Sequence, residues 1–133
     1  MKSDRENRLL FALLAIALLA AACRVEASPV AAFKAYYEAA LKLDIEGMKK
    51  TLSQSSLKYF AEMARVARKT TEEGLRANAE AMPRRMPETR NEMVNGDAAT
   101  LEIKDERTGL WETVEFVKED GAWKLALDKS VNK

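Results

Sequence analysis

The sequence predicts a single α+β domain, with helices in its first half packed against an antiparallel meander of three or four strands in its second. Three observations carry this. Apolar residues recur at helical spacing from about residue 29 to 82 and then alternate from about 88 to 128. The change coincides with Pro83 and Pro87, which end helical structure. Two dipeptides suited to tight reversals, Asn95-Gly96 and Asp120-Gly121, fall inside the alternating half. The chain has 133 residues, of which 47% are hydrophobic and 32% charged. That is enough for one packed core and little more.

Ser28-Pro29 reads as a helix cap followed by proline at the first helical position. Val30, Phe33, Tyr37, Ala40 and Leu41 then share one face, with Tyr36 beside it. Asp44 caps a short second helix whose inward side is Ile45, Met48 and Leu52, and Gly47 interrupts it. Ser53 to Ser56 begin a third, with Leu57, Phe60, Ala64 and Ala67 on one side. Thr70 and Glu73 form a capping-box pattern leading to Leu75, Ala79 and Met82. A first strand is expected around Thr89 to Val94. Ala99, Leu101 and Ile103 follow as one inward row, then Val114 and Phe116, then Trp123, Leu125 and Leu127. The methionines Met48, Met63, Met82, Met86 and Met93 mostly match core spacing.

The first 22 residues carry an export signal. Lys2, Arg5 and Arg8 precede residues 9–22, LLFALLAIALLAAA, which hold no polar side chain. From Leu9 to Cys23 the apolar run is 15 residues, short of the roughly 20 that a spanning helix needs. Ala20-Ala21-Ala22-Cys23 resembles the lipobox of bacterial lipoproteins, although that family usually has Leu where Ala20 stands. The resemblance implies cleavage between Ala22 and Cys23 and a diacylglycerol thioether on Cys23, with residues 23–27 as a short tether to the domain at 28–133. Arg24 in place of the aspartate that marks inner-membrane retention favours the outer membrane, where the host has one. A plain signal peptide cut near Ala22 would instead leave Cys23 as an odd free thiol.

Composition excludes much chemistry. There is no His, so no imidazole base, nucleophile dyad or His-ligated metal. One Cys allows neither an intrachain disulfide nor a thiolate zinc cluster. The 22 basic and 21 acidic residues nearly cancel, so nothing draws the chain to nucleic acid. The paired carboxylates Glu72-Glu73 and Asp105-Glu106 lack the spacing of a calcium loop. No metal, cofactor or catalytic residue is assigned. Arg84, Arg85 and Arg90 form a basic cluster that reads as a solvated linker.

The segments Ser28-Pro29 to Met48, Val94-Asn95-Gly96-Asp97-Ala98-Ala99-Thr100-Leu101 and Glu119-Asp120-Gly121-Ala122-Trp123-Lys124-Leu125 look like those of small bacterial lipoproteins with a nuclear-transport-factor-2-like, also called cystatin-like, domain. The resemblance implies a curved sheet closed on one side by helices. Members of that fold include isomerases, dehydratases and non-catalytic binding or dimerising modules, so fold does not give function. The expectation is a non-catalytic lipoprotein of the bacterial envelope, binding an envelope protein or a small apolar ligand. Trp111, Tyr36 and Tyr59 are the candidate contacts. A small isomerase- or dehydratase-like enzyme with an apolar substrate, and a structural homodimer, are the alternatives.

Overall fold

A computed structural model describes residues 27–130. The expected signal segment, with Ala22 and Cys23, lies outside the described residues. Four helices lead: α1 (Pro29–Leu41), α2 (Ile45–Thr51), α3 (Gln54–Val66) and α4 (Thr71–Ala81). Four strands follow, β1 (Thr89–Asn95), β2 (Ala98–Lys104), β3 (Trp111–Glu119) and β4 (Ala122–Leu125), and then a one-turn helix α5 (Leu127–Ser130). The strands pair in chain order as an antiparallel meander, and the sheet stays open. The α+β order read from the sequence is therefore the observed one. No helix of the described residues is long and apolar enough to cross a membrane.

Each helix starts where the sequence supplies a side-chain oxygen for its first N–H groups. Ser28 accepts from Ala31, Asp44 from Gly47, Ser53 from Ser56, and Thr70 with Glu73 closes a full capping box. Gly47 has a packing reason. A Cβ there would lie 2.4 Å from Asp44 Oδ2 and 3.1 Å from the Ala39 methyl, so only glycine lets the cap fold back on its own helix. The β3–β4 reversal places Asp120 and Gly121 at φ 50° and 77°, the paired left-handed residues of a two-residue hairpin.

Alternation assigns the inward row of the sheet. Ala99 faces Phe116, Leu101 faces Val114, and Phe116 faces Leu125 across the ladders. These residues pack with Phe33, Tyr36, Tyr37, Met48, Leu52 and Leu75 into one core. Every buried member among the described residues lies between Ala32 and Leu125. Trp123 is buried in it, as its parity predicted.

One expectation for the sheet fails. The last strand does not run on to Leu127; it ends at Leu125. The Ser56 hydroxyl lies 3.0 Å from the Leu125 carbonyl and accepts from Leu127 N–H at 2.9 Å, which bends the chain out of the sheet. The methionines divide: Met48 is fully buried and Met82 and Met86 pack against the core, but Met63 and Met93 are exposed.

Ser56 therefore joins α3 to the chain end. Its oxygen also sits 3.0 Å from Asp128 Oδ1 and accepts from Ser53 Oγ at 2.8 Å. Ser56→Ala leaves the half-buried Leu127 N–H without its acceptor, which costs about 1–3 kcal/mol. Urea titration should show a lower midpoint with an unchanged slope; an unchanged midpoint would mean that water takes over the contacts.

Candidate functional site

A groove of about 960 Å³ opens between the α3–α4 hairpin and the inward face of the sheet. Tyr59, Phe60 and Met63 of α3 form one wall, and Gly74 and Asn78 of α4 form the back. Ile103, Glu112, Val114 and Leu127 form the floor. A second hollow of about 380 Å³ adjoins it, bounded by Phe33, Tyr36 and Tyr37 of α1 and by the Asp105-Glu106 turn. The two share Asn78, Ile103, Glu112, Val114 and Leu127, so they are parts of one connected depression. Its size suits a small-molecule ligand.

The sequence creates this space through small residues. α3 buries only Ser56 and Ala64. A Cβ added to Gly74 would be 3.3 Å from the Ala64 methyl, so α3 and α4 close tightly on each other. A sharp turn with Arg68 at φ 55° joins them, and Lys69 N–H bonds Ala64 O at 2.8 Å. The hairpin packs on itself and stands off β3. Phe60 is consequently half-buried and Ala67 exposed, although helical spacing placed both on the inward side.

Two of the three candidate contacts meet here. Tyr36 lines the smaller hollow and donates its hydroxyl proton to Asn78 Oδ1 at 3.0 Å. Burial pushes its phenol up to about 12, so it remains a proton donor rather than a base. Tyr59 lines the larger hollow and packs edge-to-face on Phe60, with ring centres 5.9 Å apart. The neighbouring Tyr37 hydroxyl faces the carbonyls of Pro83 and Arg85. Burial, and then the Glu106 charge, raise its phenol as well. Both buried tyrosines are thus core residues with satisfied hydroxyls.

Trp111 stands apart from them. It pairs with Lys104 in register and belongs to the opposite row from Val114 and Phe116. The Arg90 guanidinium lies 3.9 Å from the centre of its ring, and Arg90 Nε donates to Glu102 at 2.7 Å. Trp111 is packed under an arginine on the outer face, half-buried rather than presented to a ligand. The basic cluster of the sequence is dispersed as well. Arg90 joins Trp111 and Glu102, while Arg85 reaches Glu106 at 3.8 Å.

Sequence reasoning missed Glu112 and Asn78. Glu112 had a readable signal: it shares strand parity with Val114 and Phe116, which puts a carboxylate in the inward row. Among the described residues no group of three or more acidic or sulfur side chains is placed to hold a metal ion. Comparison of the chain with protein-family models, with curated proteins and with solved structures finds no match.

Proposed function

We propose that the chain is an exported, lipid-anchored protein of the bacterial envelope whose nuclear-transport-factor-2-like domain binds an apolar ligand beside the membrane without transforming it. The groove between the α3–α4 hairpin and the sheet carries the binding part, because its walls are Tyr59, Phe60 and Met63 over Val114 and Leu127. Aromatic and aliphatic walls with a few polar groups are what small-molecule sites are made of. The anchoring part rests on the lipobox-like Ala20-Ala21-Ala22-Cys23 and the apolar run before it. An isomerase-type reaction would require a carboxylate base inside a closed cavity. Here the depression is open, Glu112 is exposed, and the Tyr36 proton is already given to Asn78. These observations favour binding over turnover.

The test is fluorescence of a neutral apolar reporter, N-phenylnaphthylamine, with the chain from residue 27 onward. Met63 is 51% exposed and lines the groove, so Met63→Asp should leave the melting temperature unchanged. Placing a charge against the reporter should weaken binding about tenfold, equivalent to roughly 1.4 kcal/mol. Failure of the reporter to bind, or equal binding to Met63→Asp, rejects the groove.

A homodimer is the second reading. β1 is an edge strand with Met93 and Val94 exposed on its two faces, whereas the β4 edge is covered by Leu52, which bridges Leu125. Sedimentation of the same fragment separates a monomer from a dimer.

A further inference from the structure

We infer that Glu112 is the charge anchor of the groove, and that the ligand it selects is a cationic amphiphile: an ammonium group on an apolar or aromatic body. This deepens the binding reading above and rests on it. Strand parity puts Glu112 in the inward row, directly across from Ile103 and in line with Val114. Among the described residues it is the one carboxylate that borders both hollows and belongs to the floor they share. Neighbouring carboxylates are committed elsewhere. Glu106 pairs with Arg85, Asp105 with Arg107, Glu102 with Arg90 and Glu88 with Lys104. Glu112 makes no ion pair or side-chain hydrogen bond among the described residues.

The physics discriminates between ligands. An apolar body lying on Val114 and Ile103 removes water from beside the carboxylate. A cation on that body restores the lost interaction, and its attraction to Glu112 strengthens as water leaves. A neutral ligand leaves the carboxylate partly desolvated without recompense, and an anion adds repulsion. The Tyr59 and Phe60 rings in the facing wall offer the negative faces that cations favour. Lys69 is the opposing consideration, since it too borders the larger hollow without an ion pair among the described residues. It follows the end of α3, is exposed, and does not reach the shared floor.

Displacement of N-phenylnaphthylamine by three ligands of equal chain length tests this: dodecylammonium, dodecanol and dodecanoate, each below its micelle concentration. With the chain from residue 27 onward, dodecylammonium should displace the reporter at about two- to fivefold lower concentration than dodecanol, the margin of a partly exposed charge pair. Dodecanoate should be the weakest. In Glu112→Gln the advantage of the ammonium should vanish, and dodecanol should bind as well as before or better, since no carboxylate is desolvated beneath it. Equal displacement by ammonium and alcohol in the native chain would overturn the anchor and leave the apolar groove standing. Superiority of dodecanoate, abolished in Lys69→Gln, would overturn it in favour of an anionic ligand. A preference for ammonium that survives in Glu112→Gln would move the anchor to another carboxylate and equally reject the assignment. Absence of any reporter binding would reject the groove itself.

Discussion

Phe116→Ala should destabilise the domain by about 3–5 kcal/mol, the largest loss expected from any single truncation in the sheet. Phe116 is 1% exposed and stands in the middle of the inward face. It faces Ala99 on one side and Leu125 on the other. Ala99 is too small to fill the vacated volume, and Leu125 is held by bonds from Ser53 N–H and the Ser56 hydroxyl to its carbonyl. The site therefore collapses poorly, which is the condition for a cost at the high end of the range. A domain of this size commonly has about 5–15 kcal/mol of stability in all, so the variant should lose a large share of it. Urea unfolding followed by tryptophan fluorescence is suitable, because Trp123 shares the core with Phe116. Phe60→Ala is the internal control. Phe60 is half-buried on the groove wall and should cost markedly less. Similar losses for the two would contradict the placement of the core under the sheet and of the groove beside it.

That contrast also shows what was readable in the sequence. Signals that act locally survived folding. Ser28, Asp44 and Thr70 cap the helices they were expected to cap, and within the stretch Ser53 to Ser56 it is Ser53 that caps the third, since a cap needs only the next three residues. Asp120-Gly121 turned the chain for the same reason. Parity placed Leu101, Val114, Phe116 and Trp123 inside, because a strand has only two faces. Position on a helical stripe was less decisive. Ala67 and Met63 lie near the apolar side of α3 yet face solvent or groove. Their exposure follows from the close approach of Ala64 to Gly74, a long-range contact that no periodicity encodes. The end of β4 was lost for a similar reason: Leu127 continues the alternation, but Ser56, 71 positions away, captures its N–H.

The candidate site divides along the same line. Tyr36 and Tyr59 were singled out by residue type and do border the groove, while Trp111 was singled out equally and faces the other way. Residue type identifies which side chains could bind; only packing brings them together. Glu112 reverses the case, since its parity was visible from the start, but a carboxylate in an apolar row becomes informative only once its surroundings lack a counter-ion.

Cys23→Ser should abolish lipid attachment, an all-or-none outcome rather than a graded one, and either release the protein or leave it as an unprocessed precursor held by its apolar run. In the proposed pathway the sulfur is alkylated first and cleavage follows, so the serine variant should accumulate at precursor length, or be released where another peptidase cuts near Ala22. Each buried methylene contributes about 0.8 kcal/mol, and one chain holds only marginally, whereas two or three chains on one residue hold stably. Charge does not replace them. Of the 22 basic and 21 acidic residues, three and two lie in residues 1–22, leaving nineteen of each from Cys23 onward. A balanced chain gains little from anionic headgroups, so high salt should not extract the native protein, while detergent should. Mass spectrometry of the mature N-terminus should find Cys23 first and heavier by its acyl groups. A Cys23→Ser variant that is still processed and still sediments with membranes would defeat the lipid anchor. The tether adds a functional consequence. From Cys23 to Ser28 there are five residue steps, at most roughly 17 Å at full extension, so the domain would sit within a few residues' reach of the bilayer. An amphiphile leaving that surface would then have only a short distance to travel to Glu112, so the proposed anchor and the proposed groove would act together.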